Sequence, residues 1–164
     1  MIEIRPLSCA DDFVAVGRIL EKSWKHSYRD ILPKAYLDRL TPERFTVAMR
    51  AEPEKTLVLF EDGVPAGVCM LGFSRQRPGC GEVIGLYVLQ EKIGQGYGRK
   101  LLGAAVAFFR QEGCEAVCLW VFSQNENAIG FYQHSGFRRT GHGQVENYAG
   151  ENIKMLEMLY EDMI

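Results

Sequence analysis

The sequence predicts a mixed α/β domain with helices flanking one central sheet, and three observations lead there. Predicted strands come in runs separated by helices, which fits a layered mixed architecture and not the strict alternation of a Rossmann fold. One long stretch, Gly96 to Gln111, carries a helical stripe of Leu101, Leu102, Ala105, Val106 and Phe109. The chain has 164 residues, enough to bury about two-thirds of its unfolded surface in one core without disulfide or metal. A single domain over residues 1–164 is therefore expected.

The elements follow in order. Ile2 to Arg5 reads as a short strand, with Ile2 and Ile4 on one face. Ala10 to Ser27 reads as a helix because Phe13, Val16, Ile19, Leu20 and Trp24 recur at helical spacing. Pro33 starts a second helix through Leu40, since proline suits a first turn. Thr41-Pro42-Glu43 opens a third, carrying Phe45, Val47, Ala48 and Met49. Lys55 to Phe60 and Ala66 to Phe73 are strands joined by a Glu61-Asp62-Gly63 hairpin turn. Arg75 to Gly79 is a loop, and Glu82 to Leu89 is an apolar strand. The long helix then leads to a strand over Glu115 to Phe122 and a short helix over Asn127 to His134, ended by Gly136. Two further strands fall near Phe137 to Thr140 and Asn152 to Tyr160.

Composition narrows the function. Hydrophobic residues are 47% and charged residues 24%, as in ordinary globular chains. The net charge of −2 lacks the basic excess of a nucleic-acid binder, so no nucleic-acid partner is expected. Met1-Ile2-Glu3-Ile4-Arg5 lacks a signal-peptide pattern, and no apolar run nears the roughly 20 residues that cross a bilayer. A cytoplasmic protein without a membrane partner is expected. Cys9, Cys69, Cys80, Cys114 and Cys118 form no C-x-x-C pair, and Cys114-x-x-x-Cys118 has no histidine at a supporting spacing. They read as reduced thiols, with no metal site.

The most chemical segment runs from Val88 to Leu102, where an apolar strand meets a loop containing Gly94, Gly96 and Gly98 and then a helix. A helix N-terminus offers unpaired N–H groups and partial positive charge, and glycines let a phosphate approach them. Arg99 and Lys100 in the first turn oppose the helix dipole, a conflict that an anionic ligand would remove. Two phosphate-loop alternatives fail on spacing. A G-x-G-x-x-G beginning at Gly94 meets Arg99 where its last glycine belongs. A Walker loop from Gly94 needs glycine at that same position and Ser or Thr where Leu101 stands.

This segment resembles the acetyl-CoA motif of the GNAT N-acetyltransferase superfamily, (Gln/Arg)-x-x-Gly-x-(Gly/Ala). Gly96 and Gly98 fill its small positions, and Ile93 stands where Gln or Arg is usual. Downstream, Asn125, Ala128, Phe131, Tyr132, Gly136 and Phe137 match the spacing Asn-x-x-Ala-x-x-Phe-Tyr-x-x-x-Gly-Phe of the same family. The tail from Ile153 to Tyr160 resembles its last strand, and the resemblance covers nearly the whole chain. It implies the GNAT acyl-CoA N-acyltransferase fold: a central, mostly antiparallel sheet with splayed fourth and fifth strands, flanked by helices. It also implies acetyl-CoA as cosubstrate, held by Ile93, Gly94, Gln95, Gly96, Gly98, Arg99 and Lys100, with Asn125 on the pantetheine arm.

The implied reaction is direct attack of an amine on the acetyl thioester. It needs a positioned thioester, a stabilised oxyanion, a neutral amine and a proton for the thiolate. Leu86 and Val88 share one strand edge, so the resemblance assigns the thioester oxygen to the Leu86 amide and the pantetheine arm to Val88; ordinary sheet pairing is the alternative. Tyr132 matches the tyrosine that protonates the thiolate, against the reading of an aromatic packed beside Phe131. Glu82 occupies a general-base position, against an exposed strand-end carboxylate, and partial burial would raise its pKa. His26 is the nearest histidine rival, while His134 and His142 are weaker ones. Asn125 also suits a helix N-cap. Trp24, Tyr28, Tyr36, Tyr148 and Glu146 fall where the family shapes its acceptor site, and aromatics with acid suit a cationic amine. The expected acceptor is a small-molecule amine. A protein N-terminus or lysine, a non-catalytic CoA-binding module and a non-CoA nucleotide binder are the competing readings; a homodimer is left open.

Overall fold

The computed structural model describes all 164 residues. Its chain order is β1 (Ile2–Pro6), α1 (Phe13–Ser27), α2 (Lys34–Leu37), α3 (Pro42–Ala51), β2 (Thr56–Glu61), β3 (Val64–Phe73), β4 (Cys80–Val88), α4 (Tyr97–Gln111), β5 (Ala116–Phe122), α5 (Glu126–His134), β6 (Arg138–Tyr148) and β7 (Glu151–Tyr160). The strands form one seven-stranded sheet in the order β1-β2-β3-β4-β5-β7-β6. Every pairing is antiparallel except β4 with β5.

Strand alternation divides the core between the two faces of the sheet. On β2, Leu57 and Leu59 pack with Leu101, Leu102, Ala105 and Phe109 of α4. Val58 and Phe60 point the other way, into Phe13, Val16, Ile19 and Leu20 of α1 and Met49 of α3. The result is three layers, with α4 and α5 on one face and α1 and α3 on the other. The helix α2 adds Leu37 to a third cluster with Phe122, Tyr148 and Ile153, over the far half of the sheet. Two glycines permit this closeness. A Cβ on Gly81 would lie 2.2 Å from the Phe109 ring, and one on Gly17 would lie 2.3 Å from the Pro42 carbonyl oxygen.

Several boundaries differ from the sequence reading. The first helix begins at Phe13, because the Asp12 carboxylate accepts from the Ala15 N–H and caps it there. The helix read from Pro33 to Leu40 spans only Lys34–Leu37, with Pro33 outside as its cap residue. The strand read from Phe137 to Thr140 is instead Arg138–Tyr148, continued past a register shift between Arg139 and Gly143. The Glu61-Asp62-Gly63 turn forms as read, with Asp62 at φ 50° and Gly63 at φ 82°, the left-handed pair that two-residue hairpins favour.

Candidate active site

The fourth strand decides the site. Along β4, Leu71 of β3 pairs with Val83 while Met70 pairs with Gly85, so Ile84 is an extra residue. Such a bulge bends and twists its strand. It falls where pairing with β5 ends: Cys80 to Val83 match Ala116 to Leu119, and nothing beyond Val83 is paired on that side. The sheet therefore splits between β4 and β5. The Leu89 N–H donates to the Ala66 carbonyl of β3 at 3.0 Å. By alternation the N–H groups of Leu86 and Val88 face the opposite edge, the one the split leaves open.

A cleft of about 1050 Å³ runs along this split. At one end stands the glycine turn. Gly94 (φ 89°) and Gly96 (φ 82°) are left-handed, and a Cβ on either would meet no atom within 4 Å. The backbone conformation selects glycine there, and the open space in front is what an incoming anion needs. Gly96 caps α4 without a side-chain hydrogen bond, leaving the first-turn N–H groups free. Gly98 differs: its Cβ position lies 3.4 Å from the Phe131 ring. Ile93, Gly94, Gly96, Gly98 and Arg99 line the cleft; Gln95 and Lys100 do not. Lys92 also lines it, paired with Glu61 at 2.7 Å.

The middle of the cleft holds Leu86, Val88, Asn125 and Tyr132. Asn125 accepts from the Ala128 N–H at 3.2 Å and caps α5, which leaves its amide N–H₂ free for a ligand. Tyr132 is 8% exposed, edge-on to Phe131 and Phe137. Tyr28, Tyr148 and Tyr160 hydroxyls have protein partners; that of Tyr132 makes no such bond. Burial raises its pKa far above the ordinary phenol value, with Cys69 and Tyr28 adding to the shift.

The other end holds Glu82, Trp24, Tyr28, Trp120, Phe122, Glu146 and Tyr148. Glu82 is half-buried, and its pKa is raised first by that burial and then by the Glu157 charge. The Tyr148 hydroxyl donates to Glu146 at 2.9 Å. Asp30 stands at the rim beside Arg29, at 3.7 Å. Of the histidines only His26 lines the cleft, and its Nδ1 is 3.0 Å from Arg29. His134 Nδ1 is spent on the Gly130 carbonyl at 2.7 Å. Tyr36 stacks edge-on against Tyr148 behind the wall. Sequence reasoning missed Tyr87, whose hydroxyl accepts from Tyr28 at 3.2 Å across the cleft floor. The signal was its alternation with Leu86 and Val88 on β4.

A layered α/β domain whose sheet splits beside a glycine-capped helix, with an open strand edge leading from that cap to a buried tyrosine, is the fold of an acyl-CoA-dependent acyltransferase. The model of the Acetyltransferase (GNAT) family matches residues 18–137, and the chain belongs to that family. It is an acetyl-CoA-dependent N-acetyltransferase. Among its relatives is the uncharacterised N-acetyltransferase YuaI of Bacillus subtilis, 29% identical over 157 residues that cover 93% of this chain and 90% of that one. A spermidine N(1)-acetyltransferase of Thermoplasma acidophilum is 25% identical over 98% of both chains. The Salmonella typhimurium protein yncA, solved with its cofactor acetyl-CoA, superposes with a TM-score of 0.77 at 25% identity, covering 98% of this chain and 94% of its own. No helix of the molecule is long and apolar enough to cross a membrane.

Proposed function

We propose that the enzyme acetylates a cationic small-molecule amine, with Glu82 as general base and Tyr132 as general acid. One observation carries this reading: the split sheet joins a positive end to a negative one. Arg99 and the open amides of α4 stand by the glycine turn, with Lys92 neutralised by Glu61, while Glu82 and Glu146 stand at the aromatic-walled end, with Asp30 paired to Arg29 at its rim. The first end suits a diphosphate, the second an ammonium held by carboxylates and ring faces. The Thermoplasma relative, named for spermidine, supports an acceptor of that kind.

The residues present fit acetyl-CoA: Cβ-free left-handed glycines, free helix amides and an unpaired strand edge lie in one line. When bound, acetyl-CoA supplies the activated acetyl group. The amides of Gly94 to Arg99 would hold the diphosphate, and those of Leu86 and Val88 the thioester oxygen and the pantetheine arm, with Asn125 beside it. Glu82 takes a proton from the acceptor ammonium, directly or through one water, and so frees the nitrogen lone pair for attack. The Leu86 N–H donates to the oxygen as its negative charge grows. As the C–N bond forms and the C–S bond breaks, the Tyr132 hydroxyl gives its proton to the departing sulfur, and the nitrogen's second proton passes through water to the tyrosinate oxygen. Burial disfavours the tyrosinate and the thiolate alike, so the transfer relies on the positioning of the hydroxyl and on a water that resupplies its proton.

The test is a panel of amines supplied with acetyl-CoA, read by thiol release. Polyamines and aminoglycosides should turn over, and amino acids bearing a free α-carboxylate should not. Turnover with peptide N-termini or lysines alone would overturn the acceptor class; turnover with none would favour a binding module.

A further inference from the structure

Behind the cleft lies a buried ionic group that the reaction as described does not use. Glu157 of β7 is 1% exposed. It accepts from Arg77 twice, from Nε at 2.8 Å and from Nη2 at 2.6 Å. It also accepts from the Thr140 hydroxyl at 2.7 Å. Arg77 comes from the loop between β3 and β4, and Thr140 from the irregular part of β6. Burying such a pair is not a reliable source of stability, because desolvation offsets the attraction. Its position offers a reason for it.

Glu82 pairs across with Cys118 of β5, and Cys118 pairs with Leu159 of β7. Cys80, Cys118 and Leu159 pack together on one face, so by alternation Glu82 and Glu157 project from that same face. Glu157 pairs with Trp120, two residues along from Cys118, so two strand spacings and that offset separate the two backbones by about 12 Å, with Trp120 on the same face. The intervening ground is Cys118, a buried thiol pushed up to about 11 and therefore neutral near pH 7. We propose that the Arg77–Glu157 pair, though outside the cleft, sets the charge felt by Glu82 and hence the pH at which Glu82 can act as a base. Arg77 and Glu157 are positioning residues in this role. The inference rests on Glu82 being that base for its catalytic meaning, and on the geometry alone for its electrostatic one.

Charged groups stand on both sides of Glu82: His26, Arg29, Asp30 and Glu146 line the cleft with it, and the others lie behind. Glu157 acts on it directly, in the direction of holding its proton. Cys80 on its own strand is raised by burial, like Cys118. Beyond Glu157 stand Arg77 and His142, the latter 3.8 Å from the carboxylate and largely exposed. Glu115 and Glu161 lie near Cys80. The balance is thus between one carboxylate and the guanidinium that neutralises it. Deleting the carboxylate leaves a cation and makes Glu82 easier to ionise. Deleting the guanidinium leaves a buried carboxylate that makes Glu82 harder to ionise while it stays charged, and that itself takes up a proton more readily.

The experiment is a carbon-detected NMR titration of the Glu82 carboxyl in the whole protein, assigned by its loss in Glu82→Gln. Glu157→Gln should lower the midpoint by about half a pH unit, and Arg77→Met should raise it by a similar amount. Arg77→Lys, which keeps the charge and loses the two-point contact, should stay near the wild type. Arg77→Met with Glu157→Gln should fall between the two single variants. The series is repeated on a His142→Gln background to remove that charge. The Glu157 carboxyl is followed in the same Arg77→Met titration; an unmoved midpoint in Glu157→Gln, or one unmoved in Arg77→Met while Glu157 is ionised, would overturn the proposal. Should Arg77→Met fail to fold, Glu157→Gln against Arg77→Lys still decides: equal midpoints sink it. The titration needs no acceptor. A pH–rate profile of Glu82→Gln on whichever amine the panel identifies tests the base assignment separately.

Discussion

At the scale of the residue, the Tyr132 hydroxyl and the Glu82 carboxyl give opposite kinds of prediction. The Tyr132 ring is packed against Phe131 and Phe137, while its hydroxyl has no protein partner to lose. Tyr132→Phe should therefore unfold within about 1 kcal/mol of the wild type and bind acetyl-CoA unchanged by calorimetry. Its turnover should fall by at least about tenfold; full turnover would return the thiolate's proton to solvent. Glu82 is a carboxyl whose pKa is raised by burial and by Glu157. Activity that depends on its ionised form should fade below that raised value, above the usual carboxylate range. Glu82→Gln should be slowest relative to the wild type above that raised value and below the amine's own pKa, converging with it at lower pH and recovering as the free amine becomes abundant, in a pH–rate profile. Parallel profiles would remove Glu82 as the base. The family resemblance named both residues, Tyr132 through a spaced motif and Glu82 through the position of a family base, and both line the cleft. Their surroundings were not legible in the sequence. Tyr87 meets Tyr28 across 59 positions of sequence, and Arg77 meets Glu157 across 80. No local spacing encodes such partners.

At the scale of the element, the glycines of α4 divide by mechanism. Gly96 is left-handed with open space around it. Gly96→Ala should cost about 1–2 kcal/mol from backbone conformation, and Gly96→Val should also lower acetyl-CoA affinity in calorimetry. Gly98 has an ordinary helical backbone and 3.4 Å of clearance to Phe131. Gly98→Ala should melt near the wild type, so equal losses at both positions would contradict this division. Away from the site, Gly17→Ala presses on the Pro42 carbonyl, where α1 crosses α3, and should cost about 1–3 kcal/mol in denaturant unfolding. Periodicity gave α1, α4 and the strands β2 to β5 to within a few residues. It failed on β6, whose Arg138–Tyr148 run is mostly exposed. An edge strand solvated on both faces carries no alternation to read. The bulge at Ile84 was equally silent, since one extra residue in a strand leaves no compositional trace beyond the following Gly85.

At the scale of the whole molecule, pH acts through the paired carboxylates. Asp11 is held down chiefly by its hydrogen bonds from Arg5, and Glu157 by those from Arg77. For a lowered carboxylate, the stabilisation is complete above its unfolded pKa and is lost as pH falls through the folded one. Glu82 has the opposite sign, binding its proton more tightly when folded, so stability declines as pH rises through its window. Glu157→Gln should flatten the acid side of a stability–pH curve measured by urea unfolding; an unchanged acid limb would show that Glu157 titrates alike in both states.

The short parallel pairing of β4 with β5 has a mechanical consequence. Four residues on each strand, Cys80 to Val83 and Ala116 to Leu119, are the only ladder joining a four-stranded leaf to a three-stranded one. One continuous core beneath α4 also ties the two leaves together, so they part only beyond Val83, where acetyl-CoA would lie bonded to the free margin of β4. Amide hydrogen exchange should register this. Without cosubstrate, Leu86 and Val88 should exchange freely beside protected neighbours; with it, their exchange should slow and the short ladder should tighten with them. The enzyme would then owe part of its rigidity to the molecule it consumes and loosen each time it turns over.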